Sequence, residues 1–481
     1  MGDASQISHL LFVKAECETC QLIEPVIGEA IDAGKAIRIL VQDDPAFLGA
    51  HSPGDDTLLE ESYRWNVETT PTLIALDHDR ETGRVGGWDR AGWREMLDMP
   101  TLAEDLPEFR PGCGSRSLEP GIYENLVARY GDPGISARVV RLEEWDDEME
   151  SCFDHGWTDG LPVTPPTDAR ILRMLKGTSR AADEVIGKVP PNLASITVEK
   201  AAVNAVMAGC KPEYFPVVLA ALEAALEPVF TLHGLLCTTC FSSPIIVVNG
   251  PIAKRIGMNW GINALGQGNR ANSTIGRALQ LIVRNVGGGI PGDLDRSTLG
   301  GPGKHTFCFA EDEYTDPDWE PLSVSRGFER GQNTVTLFQG DGVQGIIDWR
   351  SNTPEELSKS LAMSLLAVGH VKLAEFTNAM LVLSPEHHAI FRDAGWSRAD
   401  ITAALHDDLK RPGAEIVQGA QGVGEGIDPA RAEETVNKFW PEGLLIVRAG
   451  GQAGLYSAIL CGWTGGRFRE ESQPVTREIV L

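Results

Sequence analysis

HLLFVKAECETCQLIEPVIGEAIDA, residues His9–Ala33, decides how the first part of this chain is read. His9–Ala15 is an apolar run of strand length, and Cys17 and Cys20 follow it with only Glu18 and Thr19 between them. From Gln21 to Ala33 apolar residues recur at helical spacing, and Gly34 ends the pattern. The sequence thus places a dithiol where a strand turns into a helix. A helix N-terminus presents unpaired N–H groups and a partial positive charge, which stabilise a thiolate. Cys17 therefore reads as a nucleophile of lowered pKa. Cys20, one turn further on, is placed to attack a mixed disulfide formed on Cys17. The carboxylates of Glu16 and Glu18 are expected to oppose this by raising the Cys17 pKa.

Working outward, Ile37–Val41 is a second strand, Thr57–Trp65 a short helix and Thr72–Leu76 a third strand. Asp77–Gly83 is a turn, Arg84–Trp88 a fourth strand and Ala91–Leu97 the start of a helix. The order is βαβαββα, read as two parallel units followed by a hairpin. Thr70–Pro71 stands just before the third strand. About fifty residues after the CxxC, it resembles the cis-proline loop of thioredoxins, which implies a Thr70 backbone free to pair with a thiol-bearing partner laid down as an added strand, with Thr70 and Pro71 as the candidate binding residues. Taken together, residues 9–98 resemble the thioredoxin family. The resemblance implies Cys17 as attacking thiol, Cys20 as resolving thiol and Pro71 as the cis-proline of the docking loop. The sequence departs from the family in having Glu16 where an aromatic residue is usual and Glu–Thr between the cysteines. No acidic residue obviously matches the family's buried carboxylate. These departures favour a dedicated partner over general disulfide reduction.

The whole chain has 481 residues and a net charge of −26. Residues 1–110 hold 22 acidic and 9 basic side chains, so half of that charge lies on less than a quarter of the length. Such a surface repels phosphate backbones and argues against nucleic acid as a partner. No basic segment followed by an apolar core opens the sequence, and no apolar run reaches 18 residues, so the reading is cytoplasmic, without a membrane segment. Nine cysteines, an odd number scattered through a large acidic chain, do not form a secreted disulfide framework. The fold class is α/β, with a thioredoxin-like domain over 1–105 and a Pro/Gly-rich linker over 106–138 that contains Cys113. A larger mixed α/β or α+β domain, of one or two subdomains, covers 139–481.

That larger part carries several chemistry-bearing stretches. Its helices are expected at Asp168–Leu175, Val198–Ala208, Glu213–Leu226, Asn272–Asn285 and Pro354–Val368. Its strands are expected at Pro244–Asn249, Thr334–Phe338, Leu381–Leu383 and Leu444–Ala449. In His155–Pro162 a stiff loop holds Asp159 either as an acid/base or as a structural turn residue. Cys210, beside Lys211 and near a helix start, reads as an activated thiol or as a buried inert one. His233-Gly-Leu-Leu-Cys237-Thr-Thr-Cys240 gives a second dithiol, a soft transition-metal site (Zn, Cu or Fe) of His233, Cys237 and Cys240, or unconnected residues. Gly266–Arg277 is a Gly-rich loop opening a helix, with Arg270 and Asn272 as candidate anchors for an anionic substrate. Ser384–His388 follows a strand and offers His387 as base or ligand. The strings DGLPVTPPT, AGCKPEYFPVV, NGPIA, GNRANSTIGRA and LSPEH resemble an uncharacterised conserved bacterial family associated with thioredoxin-like and UGSC-type (seleno)proteins.

The first functional reading is a thiol–disulfide redox enzyme. Its CxxC domain takes electrons from a cellular dithiol reductant or cognate thiol protein. It passes them to Cys237, Cys240 or Cys210 in a catalytic domain acting on a small, anionic molecule, in a monomer or homo-oligomer. Cys113 serves there as a mobile relay or is a functionless linker thiol. A second reading is a lyase or hydrolase using the His233/Cys237/Cys240 metal, with the CxxC keeping the ligand thiols reduced. A third is a non-catalytic thiol chaperone.

Overall fold

Alternation along the first strand, β1 (His9–Val13), sets up the first layer of core. Leu10 and Phe12 pack with Leu40, Val67 and Ile74 on one side, and Leu11 and Val13 pack with Cys17, Cys20, Ile23, Trp88 and Trp93 on the other. A strand that buries both faces in this way must lie inside its sheet. In a computed structural model, which describes residues 7–143, 145–463 and 470–481, β1 does occupy that place.

The remaining elements of this part are α1 (Glu18–Leu22), α2 (Glu24–Asp32), β2 (Ile37–Val41), β3 (Gly54–Asp55) and α3 (Glu60–Arg64). They are followed by β4 (Thr69–Thr70), β5 (Thr72–Asp77), β6 (Arg80–Gly86), β7 (Trp88–Asp89) and α4 (Arg90–Leu97), and then by β8 (Phe109–Arg110), β9 (Cys113–Gly114) and α5 (Ile122–Tyr130). The main sheet is mixed, in the order β3-β2-β1-β5-β6. β1 is parallel to β2, and β2 to β3, whereas β5 runs antiparallel to both β1 and β6. The expected second parallel crossover into Thr72–Leu76 is therefore replaced by an antiparallel return on the far side of β1.

The helix expected over Gln21–Ala33 is broken at Ile23, because Pro25 falls in the first turn of the second piece, where its missing N–H costs nothing. Two short ladders tie the Pro/Gly-rich stretch down: β7 pairs with β8, and β4 pairs with β9 in the register Thr69↔Gly114 and Thr70↔Cys113.

The chain divides by packing into two units, residues 1–134 with 168–173, and 135–167 with 174–481. In the second, the sheet is curled into a half-barrel. Its order is Cys308–Ala310, Ser243–Asn249, Thr334–Ile347, Tyr456–Gly462, Thr377–Leu383, Phe439–Arg448, and Val475–Glu478 pairs with Thr334–Leu337. Its strands also bury both faces. Ala379, Leu381 and Leu383 join Leu357, Leu361 and Phe391 on one side, and Met380 and Val382 join Phe309 and Phe338 on the other.

Helices expected at Asp168–Leu175 and Val198–Ala208 are present over those residues, and that over Asn272–Asn285 begins two residues earlier, at Arg270. The helix expected from Glu213 starts as a 3-10 turn, Pro212–Tyr214, and continues as Phe215–Leu226 with Pro216 in its first turn. No single helix among the described residues is long and apolar enough to cross a membrane.

Candidate functional site

Strand β1 ends at Val13, and the loop that follows is pinned from outside. The Asp43 carboxylate accepts the N–H groups of Ala15 (2.8 Å) and Glu16 (3.1 Å). Cys17 then caps α1: its Sγ accepts the Cys20 N–H at 3.4 Å, one of the donors a helix start leaves unpaired. The same sulfur lies 3.3 Å from the Thr70 carbonyl oxygen, to which its thiol form donates. Cys20 Sγ accepts the Lys14 N–H at 3.5 Å. Both cysteines are fully buried and no disulfide joins them.

The electrostatics separate the two thiols. A hydrogen bond from the Cys20 side chain outweighs the opposing effect of burial, and with a second from the Cys113 side chain it brings the Cys17 thiol down to about 4. Cys20 is pushed far up by burial and by donating to Cys17. Cys113 is raised for the same donation, with burial adding to it. The flanking glutamates do not act as expected, since Glu18 is paired with Arg110 at 2.5 Å and Glu16 is exposed.

Thr70 sits beside Cys17 and the Thr70–Pro71 bond is cis, as the sequence suggests. The Thr70 backbone, however, is not free: the chain's own Cys113–Gly114 strand is paired with it. That segment is held on every side. Thr19 Oγ1 donates to the Pro111 carbonyl at 2.8 Å and Lys14 Nζ to the Gly114 carbonyl at 2.8 Å. Gln42, fully buried, donates to Ser115 Oγ at 2.7 Å. A Cβ at Gly112 would stand 2.8 Å from the Thr70 oxygen, so only glycine permits the approach. Lys14 and Asp43, which the sequence does not single out, belong to this site, and Cys113, expected as a mobile relay or a functionless linker thiol, is fixed beside it in a short strand. The Cys113 pairing joins segments 43 positions apart with no local pattern to mark it.

The candidates of the second unit fall into different surroundings. Asp159 is gripped by Arg277 through two hydrogen bonds of 2.9 and 2.7 Å. Burial would raise its pKa, but the guanidinium overrides this and holds it below the ordinary carboxylate range. Cys210 is pushed up to about 12 by burial, and its thiol donates to the Thr274 carbonyl at 3.3 Å, so the adjacent Lys211 does not make it a thiolate. Cys237 is the last residue of the helix Leu232–Cys237, and Cys240 and His233 are exposed. Among the described residues, no three His, Cys, Asp or Glu side chains gather into a metal-holding group.

Asn272, expected to anchor substrate, is buried and spends its amide on its own loop, donating to Asn259 O and Ala264 O and accepting the Asn259 N–H. Arg270 is exposed and donates to the Gly209 carbonyl at 2.9 Å. His387 is fully buried, with Ser457 Oγ 2.7 Å from Nδ1 and the Asp348 carbonyl 3.1 Å from Nε2. It lies in the helix Pro385–Asp393, which Ser384 caps.

Its neighbour His388 has the more unusual place. It stands edge-on to Trp319 and 3.5 Å from Asp316, lowered to about 4 by burial first and by the Arg448 charge second. Two buried ion pairs, Arg398–Glu311 and Arg448–Asp312, are also part of this interior. A cavity of about 560 Å³ lies beyond the end of the strand Ser243–Asn249, lined by Lys254, Arg255, Arg330, Glu313 and Tyr314. Cys240 precedes the other end of that strand, about 20 Å away at the usual rise per residue.

No family model, curated protein or solved structure matches the chain.

Proposed function

We propose that this chain is a thiol–disulfide redox protein whose working site is Cys17 and Cys20 in a thioredoxin-like first unit, as the sequence resemblance implies. The observation that carries the reading is the hydrogen bonding of one sulfur. Cys17 accepts the Cys20 backbone N–H at 3.4 Å, and its pKa is lowered, first by the Cys20 side chain, while burial raises that of Cys20, a pattern that favours Cys17 as the attacking thiolate. An anionic sulfur attacks a partner's disulfide and displaces one thiolate, and the thiol of Cys20 then resolves the mixed disulfide. The products are the partner's dithiol and a Cys17–Cys20 disulfide, which a cellular dithiol reductant returns to the reduced state. A reducing, cytoplasmic setting suits this cycle.

For the second unit, a small anionic molecule is the substrate class that the cavity beside Lys254, Arg255 and Arg330 favours. The test of the redox reading is turnover of a disulfide-bonded reporter with dithiothreitol as reductant. The native chain is expected to reduce it, and Cys17→Ser to remove that activity. A native chain no faster than Cys17→Ser overturns the reading.

A further inference from the structure

Three thiols meet at this site, and they differ in access to solvent. Cys17 and Cys20 are fully buried, while Cys113 is only partly buried. The strand that carries Cys113 lies on the Thr70 edge in antiparallel register, with Cys113 directly opposite Thr70. That is where the cysteine of an added partner strand would lie. The segment is held by Thr19, Lys14, Gln42 and Arg110, and Cys113 packs against the buried cluster that contains Cys17 and Cys20, opposite the Thr70 whose carbonyl lies 3.3 Å from the Cys17 sulfur.

Resting on the redox reading above, we propose that Cys113 is the third redox cysteine of the site, the solvent-facing end of a relay in which a Cys17–Cys113 disulfide is an obligatory intermediate. The Cys113 sulfur attacks an external disulfide RSSR. Its proton passes to Cys17 and then to the departing RS⁻, leaving Cys113–S–S–R, one RSH and the Cys17 thiolate. Cys17 attacks the Cys113 sulfur and expels the second RS⁻, forming Cys17–S–S–Cys113. Cys20 attacks the Cys17 sulfur, giving Cys17–S–S–Cys20, and its proton passes to the departing Cys113 thiolate. The sulfur–sulfur bond has then moved inward, from RSSR to Cys17–Cys20, two electrons have moved outward to the released thiols, and Cys113 is again a thiol. The Lys14 ammonium, bound to the Gly114 carbonyl and close enough to favour a charged Cys113, stabilises that sulfur as a leaving group.

The experiment uses the full, reduced chain and oxidised glutathione as the disulfide, with acid quenching, glutathione release counted, and disulfides mapped by peptide mass spectrometry. The native chain is expected to release two glutathiones and finish as Cys17–Cys20. Cys20→Ser is expected to release two as well and to accumulate Cys17–Cys113. Cys113→Ser is expected to react at least about 10-fold more slowly, because the remaining thiols are buried.

A Cys20→Ser chain that stops as a Cys17–glutathione adduct with Cys113 still open to alkylation overturns the relay. So does a Cys113→Ser chain as fast as the native one. Either result leaves the Cys17/Cys20 chemistry standing. A native chain that releases no glutathione and also fails with the disulfide-bonded reporter removes both. The Cys20→Ser map does not depend on how Cys113→Ser folds.

Discussion

The chain contains two cysteine pairs of identical spacing, Cys17–Cys20 and Cys237–Cys240, and their surroundings could hardly differ more. The first opens a helix: Cys17 is its cap and takes the N–H of Cys20. The second closes one: Cys237 is the final helical residue, and Cys240 lies three residues beyond it, exposed, with its N–H bound to Thr238 Oγ1 at 3.3 Å. N–H groups crowd a helix start and carbonyls crowd its end, so the same four-residue word meets opposite fields. The first pair also lies against Thr70 and a third thiol, and the second has no gathered His, Cys, Asp or Glu partners among the described residues. Spacing brings two sulfurs near each other, but the helix end and the neighbours decide which way the pKa of each is shifted.

The sharpest way to break this contrast is to remove one sulfur from each pair. Cys17→Ser is expected to lower disulfide reduction at least about 100-fold. Cys240→Ser, an exposed substitution, is expected to leave it unchanged; equal losses in both variants would erase the distinction.

Alkylation against pH sharpens it further. Iodoacetamide should modify Cys17, in chains opened by Cys113→Ala or probed slowly in the native form, with a low-pH midpoint. In the native chain that midpoint is expected at about 4, against the 9.0 of an unperturbed thiol. Because the folded pKa is depressed, thiolate formation adds to stability fully above the unfolded pKa, and that contribution is lost as pH falls toward 4. The stability gap between native and Cys17→Ser chains should therefore shrink between pH 9 and pH 4, and a gap independent of pH would contradict the assignment.

Asp159 tests whether its pairing with Arg277 serves the architecture of the second unit. Asp159→Ala removes the carboxylate from Arg277, whose side chain is 14% exposed, leaving it the Leu161 and Pro162 carbonyls, and is expected to cost about 3 kcal/mol in denaturant unfolding without altering reporter reduction. Loss of reduction with native stability would give Asp159 a chemical role.

The smallest effect concerns His388. Its folded pKa lies below that of the unfolded chain, so it weighs against the fold only as pH drops below about 6.5 and the unfolded chain takes up the proton. Replacing it by Gln should flatten the pH dependence of stability from 6.5 down to 4 and leave stability at pH 8 the less changed.

Much of the secondary structure was legible because it depends on local spacing. Val198–Ala208 and Asp168–Leu175 are helices over the residues their periodicity marks, and Ile37–Val41 is a strand as its apolar run suggests. The strand Tyr456–Gly462 escaped notice, although it lies between Thr334–Ile347 and Thr377–Leu383 in the sheet. Glycines surround it, and its seven residues carry no period that separates it from a loop. Among site residues, Cys17, Cys20, Thr70 and Pro71 come together as their motif implies. Asn272 and His387 were read for chemistry because polar groups in loops and at strand ends so often perform it. Each instead has its polar atoms occupied, Asn272 by the loop before its helix and His387 by Ser457 of a neighbouring strand and the Asp348 carbonyl.

What the sequence determined unaided is the order of elements around His9–Ala33 and the placing of a thiol pair at a helix start, both set by contacts within a few residues. What tertiary structure decided is which thiol carries the charge and which thiol stands next to it. The pairing of Thr70 with Cys113, the Arg277 grip on Asp159 and the burial of Cys210 join residues far apart in the chain. Hydrogen bonds and desolvation act over ångströms of space, whatever the number of residues between the groups they join.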